Sequence, residues 1–151
     1  MEEFLNNIEA LIKELSDTHN LTALAEQYYN MFNEVISKIV MDANQGKYSF
    51  SYAFDITPNL ELKLSDFKSG LWYKNEFATI PEEFRSLNCS PRSLARLFFL
   101  KDFIENLPKL TTLLDTKIKE HQAKRSELTK VFEAVKDVLD PLILSNQLSK
   151  K

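Results

Sequence analysis

The spacing of apolar residues changes period twice along the 151-residue chain, and those changes divide it into helix, sheet and helix. Over residues 2–16, Phe4, Ile8, Leu11 and Leu15 recur at steps of four, three and four, with Leu5 and Ile12 beside them, which predicts one apolar stripe on a helix. Ser16-Asp17-Thr18-His19-Asn20 is polar and rich in helix-capping residues, so a break is expected there. A second helix is expected from about residue 21 to 44, with the stripe Leu21, Leu24, Ala25, Tyr28, Phe32, Val35, Ile36 and Ile39 inward and Gly46 as its left-handed cap.

From Tyr48 to Ile56 the period falls to two. Tyr48, Phe50, Tyr52, Phe54 and Ile56 alternate with Ser49, Ser51, Ala53 and Asp55, the signature of a strand with one buried face. Thr57-Pro58-Asn59 has turn chemistry, and Leu60-Glu61-Leu62-Lys63-Leu64 alternates again. Leu71-Trp72-Tyr73-Lys74, after Ser69-Gly70, reads as a third strand.

The helical period returns at Pro81-Glu82-Glu83-Phe84 and at Ser90-Pro91, both start signals. The helix opened by Ser90 is apolar on most sides (Leu94, Leu97, Phe98, Phe99, Leu100, Phe103, Ile104), which predicts a buried centre. Asn106 and Pro108 then restart the chain as a last helix over about residues 108–140, with Pro141 ending or bending it. Its seam, Thr111, Leu114, Ile118, His121, Arg125, Leu128, Phe132, Val135 and Leu139, alternates steps of three and four as coiled coils do. The expected fold is helix-dominated α+β: two helices, a hairpin or three-stranded antiparallel meander, then three helices, in a single domain over residues 1–148 with a loose tail at 149–151.

Composition narrows the chemistry. Only Gly46 and Gly70 are glycine, too few for the loops that bring backbone amides onto phosphates, so a P-loop or dinucleotide-binding domain is not expected. One cysteine, Cys89, allows neither an internal disulfide nor a cysteine-based metal site. No stretch has the apolar length of a membrane span, and the acidic start Met1-Glu2-Glu3 is unlike a secretory signal, so a cytoplasmic protein is expected. Charge is segregated: residues 1–46 carry −6, 47–88 carry −1 and 89–151 carry +4. The basic C-terminal half is therefore a candidate nucleic-acid surface, although glutamates alternate with its lysines.

Candidate catalytic residues sit on the hairpin. By strand parity Asp55, Glu61 and Lys63 share the face opposite the aromatics, with Asp55 nearly across from Glu61. Two carboxylates so placed are oxygen ligands for a divalent cation, and a neighbouring lysine stabilises an attacking or leaving oxygen. This Asp…Glu-x-Lys set resembles the signature of the restriction-endonuclease-like nucleases, which also carry it on a hairpin preceded by a helix. The resemblance implies a metal-dependent nuclease, with Glu34 or Asp42 as a further acid. It spans about ten residues, and the acids are only six positions apart, closer than that family usually has.

Other residue types point to structure. The strand aromatics, with Trp72 and Tyr73, are expected in the core rather than as a base-stacking platform, because basic residues are not interleaved with them. His19 falls in the polar stretch and is expected to cap or to be exposed. His121 interrupts the final seam with Arg125 and lacks ligand partners at helical spacing, so it is read as setting register or an interface. Cys89 has no base near it in sequence, and Lys117, Lys119, Lys124, Arg125 and Lys130 spread around their helix.

The function expected is that of a non-enzymatic interaction protein: a small adaptor, inhibitor or accessory factor, of the kind common in phage and mobile elements. It would bind a protein partner or form a homodimer through Ile118, His121, Arg125, Leu128 and Phe132, with no cofactor and no metal. The alternatives are the nuclease using Asp55, Glu61 and Lys63, and a nucleic-acid binder using the basic half.

Overall fold

A computed structural model describes residues 1–149. The chain is a helix-dominated α+β protein in the order α1 (Glu2–Asn44), β1 (Ser51–Thr57), β2 (Leu60–Ser65), β3 (Gly70–Tyr73), α2 (Pro91–Glu105) and α3 (Leu107–Ser149). Short 3₁₀ turns at Phe77–Thr79 and Glu82–Phe84 replace the helix expected at Pro81. The chain groups into two compact units, Met1–Leu110 and Thr111 onward. Of the tail expected at 149–151, Ser149 is helical, and Lys150 and Lys151 lie outside the described residues.

The break expected at residues 16–20 does not occur, because α1 is one helix of 43 residues. That segment holds neither glycine nor proline, and the hydroxyl of Thr18 folds back onto the helix. Thr18 Oγ1 donates to the Glu14 carbonyl at 2.9 Å and Thr22 Oγ1, just beyond the segment, to the His19 carbonyl at 3.0 Å, so both hydroxyls are occupied within one continuous helix. At the far end the left-handed cap falls on Gln45 (φ 52°) rather than on Gly46, which follows it into the same region at φ 67°.

The sheet is a meander in the order β1-β2-β3, antiparallel throughout. Register places Phe54 opposite Leu62 and Leu62 opposite Leu71, so these three share one face with Ile56 and Leu60. That face meets α2, which Ser90 caps by accepting from the Ser93 amide and Pro91 pre-organises at its first turn. Phe99 is fully buried and stacks on Tyr73 at 5.5 Å. Ile56, Leu60, Ala95 and Leu110 complete the centre, each fully buried or nearly so. Burial of a side chain the size of Leu or Phe contributes about 2 kcal/mol.

The inward face of α1 is rotated from the expected stripe. Ala25 is buried as expected and Phe32 and Ile36 are half-buried, but Tyr29 and Thr22 take the innermost places while Leu21, Leu24, Tyr28, Val35 and Ile39 are exposed. Polar attachments decide the rotation. Ser93 Oγ donates to Glu26 at 2.6 Å, buried Arg96 pairs with the same carboxylate, and the Arg96 guanidinium lies 5.0 Å from the centre of the Tyr29 ring.

A second set of attachments ties α1 to the outer edge of β3. Tyr29, Asn33 and Ser37 stand four residues apart on one face of the helix, about 6 Å per step, close to the rise of two strand residues. The Tyr29 hydroxyl donates to the Leu71 carbonyl (2.8 Å), the Leu71 amide donates to Asn33 Oδ1 (2.8 Å), and Ser37 Oγ donates to the Ser69 carbonyl (2.7 Å). The approach is so close that a Cβ on Gly70, which sits at φ +146°, would lie 2.6 Å from Asn33 Oδ1. Glycine is required there on both grounds.

In the second unit, α3 continues through Pro141 to Ser149 rather than ending at the proline. At 43 residues it is about 64 Å long.

Candidate functional site

Three surfaces carry the residues singled out in the sequence. The first is the polar face of the sheet. Asp55 and Glu61 are register partners, as expected, and Trp72 is the next residue across on β3. The cation between the carboxylates is Lys74, which the sequence reading did not assign to the set. Its Nζ lies 2.9 Å from Asp55 Oδ1 and 3.7 Å from Glu61 Oε2. The hydrogen bond to Asp55, reinforced by the charge of Glu61, holds the Lys74 ammonium above the ordinary lysine value. Lys63 turns to Trp72 instead, its Nζ 4.6 Å from the ring centre, and Lys68 approaches the same ring at 5.1 Å. Glu34 and Asp42 do not join the pair; with Lys63, Lys68, Trp72 and Phe67 they line a separate cleft of about 620 Å³ beside α1. Among the described residues no three His, Cys, Asp or Glu side chains converge as ligands for a metal ion.

The aromatics expected in the core divide. Phe54 is buried, Phe50 and Tyr73 are half-buried, and Tyr48, Tyr52 and Trp72 are exposed. Trp72 lies on the polar face because its strand parity matches Glu61. Tyr52 has core-face parity but stands on an outer strand of the sheet, where it is 40% exposed.

The second surface is a groove of about 510 Å³ between α1 and α2, lined by Leu21, Leu24, Ala25, Tyr28, Leu97 and Ile104 among others, and almost wholly apolar. On α1 the exposed apolar residues at its wall extend into a longer row: Leu21, Leu24, Tyr28, Met31 and Val35 alternate steps of three and four. Leu21, Leu24, Tyr28 and Val35 of this row belong to the stripe expected to face inward, whereas Tyr29 and Asn33 make the inward contacts.

The third surface is the seam expected on the last helix. Ile118, His121, Arg125, Leu128 and Phe132 are all exposed, with Leu128 at 67% and Phe132 at 64%. The basic residues nearby are partly tied along the helix: Lys119 pairs with Asp115 at 2.9 Å and Lys117 with Glu120 at 3.5 Å. Exposed pairs of this kind stabilise weakly but reduce the free charge a phosphate would meet.

No known family model matches the chain, and neither a curated protein nor a solved structure is similar to it. No helix among the described residues is long and apolar enough to cross a membrane.

Proposed function

We propose that the chain is a non-enzymatic interaction protein that binds an amphipathic helix of a protein partner. The observation that carries this reading is the row Leu21, Leu24, Tyr28, Met31 and Val35, each about half exposed, beside the apolar groove of α1 and α2. Apolar residues at alternating steps of three and four are the spacing by which one helix receives another, and an apolar groove is the complementary receptor. In the second unit Ile118, Leu128 and Phe132 form an exposed seam of the same type, with His121 and Arg125 as polar positions that fix register against an acidic residue of the partner.

The hairpin carboxylates support the non-enzymatic side. Asp55 and Glu61 are engaged by Lys74, and the lysine of the nuclease-like set sits on Trp72. An ammonium so held occupies the place between the carboxylates where a cation would act.

The test compares proteins retained by four tagged forms of the chain: unmodified, Leu24→Asp/Tyr28→Asp, Leu128→Asp/Phe132→Asp, and Glu9→Ala as control. Partners kept by the unmodified chain and the control, and lost on one or both aspartate forms, are the expected result. The same proteins on all four forms, or none on any, would contradict it.

A further inference from the structure

The two outer edges of the sheet are treated differently. On β3 both outward groups of Leu71, and the carbonyl of Ser69 just before the strand, bond to α1 side chains. On β1 the direction of each residue follows from the ladder. The Asp66 amide donates to the Phe50 carbonyl, which makes Phe50 and Asp66 a hydrogen-bonded pair. Tyr52 with Leu64 and Phe54 with Leu62 therefore bond inward, and Ser51, Ala53 and Asp55 present their N–H and C=O groups outward. The same alternation carried across β2 points Leu71 outward on β3, where its bonds to Tyr29 and Asn33 are found.

Ser51, Ala53 and Asp55 are all exposed, and β1 carries one charge and no proline. Free strand edges are normally guarded by lysine, proline, a bulge or a covering element. Here the guard is confined to the end of the strand: the register shifts between Asp55 and Thr57, and Lys109 Nζ reaches the Ile56 carbonyl at 3.4 Å. Ser51, Ala53 and Asp55 are left exposed along the rest of the edge.

We propose that β1 pairs antiparallel with β1 of a second copy about a two-fold axis at Ala53, joining two sheets into one of six strands. Self-complementarity selects this occupant and this register. Ala53 faces its own copy, and Ser51 and Asp55 face one another at each end, so all three outward residues form hydrogen-bonded pairs. The two Asp55 carboxylates then stand about 13 Å apart along the strands. A register centred on Asp55 would set like charges opposite, one centred on Tyr52 would leave Asp55 opposite residue 49, outside the strand, and one centred on Phe54 would bring Ser51 onto Thr57, beyond the register shift. On the core face Tyr52 comes opposite Phe54 of the second copy, which covers the ring that a single chain leaves exposed. This surface is distinct from the helical groove and seam.

The test is sedimentation of the full chain over a wide concentration range, with Ala53→Pro and Ala53→Lys. Proline at 53 removes an outward amide and leaves the β2 ladder untouched, while lysine brings two like charges together on the axis; unchanged circular dichroism confirms folding of each. The register is read separately in a Cys89→Ser background, where Ala53→Cys should form a disulfide-linked dimer under mild oxidation, because hydrogen-bonded pairs hold their Cα atoms about 5.5 Å apart. Phe67→Cys, at a position 95% exposed on the β2–β3 loop, is the control that should not. The expected result is a dimer for the unmodified chain, monomers for both Ala53 variants, and cross-linking at 53 alone. A chain monomeric at every concentration overturns the proposal. So does a dimer that persists in both Ala53 variants, and one abolished by Leu128→Asp/Phe132→Asp but not by Ala53→Lys would assign self-association to the helical seam instead.

Discussion

The edge of β3 and the edge of β1 belong to the same three-stranded sheet and have the same hydrogen-bonding needs, yet only one is closed from within. At β3, a helix supplies one polar side chain per turn, Tyr29, Asn33 and Ser37, which bond the amide and carbonyl of Leu71 and the carbonyl of Ser69 where a neighbouring strand would otherwise pair. At β1, Ser51, Ala53 and Asp55 face outward and are exposed, with little in the strand's sequence to repel a second strand. The difference teaches that edge protection in this fold is a matter of side-chain spacing on α1. Four-residue helical steps happen to match two-residue strand steps, and the match is available to β3 alone.

Breaking the closed edge should be costly, most of all at the point of closest approach. Gly70→Ala places a Cβ 2.6 Å from Asn33 Oδ1 on a backbone at φ +146°, and the loss expected in chemical denaturation is about 3 kcal/mol or more. Asn33→Leu leaves the Leu71 amide without its acceptor in a covered position, for an expected loss of about 2 kcal/mol by the same measurement.

Tyr29→Phe removes the donor to the Leu71 carbonyl, together with the hydroxyl's contact with Asn33, for about 1 kcal/mol. It should also change the alkaline limb of stability. Burial pushes the Tyr29 phenol above its ordinary value of 10.0, so above that pH the unfolded chain ionises before the folded one. The contribution of Tyr29 is whole below pH 10 and is lost as pH rises beyond it. Thermal unfolding followed from pH 8 to 11 should therefore fall less steeply at the alkaline end for Tyr29→Phe than for the unmodified chain.

The open edge should be nearly indifferent. Ala53→Ser, measured at a concentration low enough for single chains, should change unfolding free energy by less than about 0.5 kcal/mol, because the side chain does not enter the core and the residue's amide and carbonyl point away from β2. A loss comparable to that of Asn33→Leu would erase the distinction between the edges.

Much of this fold was legible because the signals were periodic. The alternation from Tyr48 to Ile56, the Thr57-Pro58-Asn59 turn and the alternation of Leu60-Glu61-Leu62 placed the hairpin and its register, including Asp55 opposite Glu61. The helix from Ser90-Pro91 was legible from its cap and its apolar content. What escaped were decisions between competing residues of one type. Ser16–Asn20 offered capping side chains, but with no glycine or proline to stop it the helix ran on, and the Thr18 hydroxyl bonded back along it. On α1 two apolar rows competed for the core, and the choice was made by Glu26, Tyr29, Asn33 and Ser37, polar residues whose partners lie 32 to 70 positions away. Lys74 was missed for the same reason: nothing local connects it to Asp55, 19 residues earlier, until β3 brings it back across the sheet.

The most direct test of the contrast between the edges is amide hydrogen exchange measured residue by residue in dilute protein. The Leu71 amide, bonded to Asn33, should be protected to the level of the core, while the outward Ala53 amide should exchange orders of magnitude faster. On raising the concentration Ala53 should become protected and Leu71 should not change. Equal exchange at the two amides in dilute protein would contradict the distinction on which this view of the fold rests.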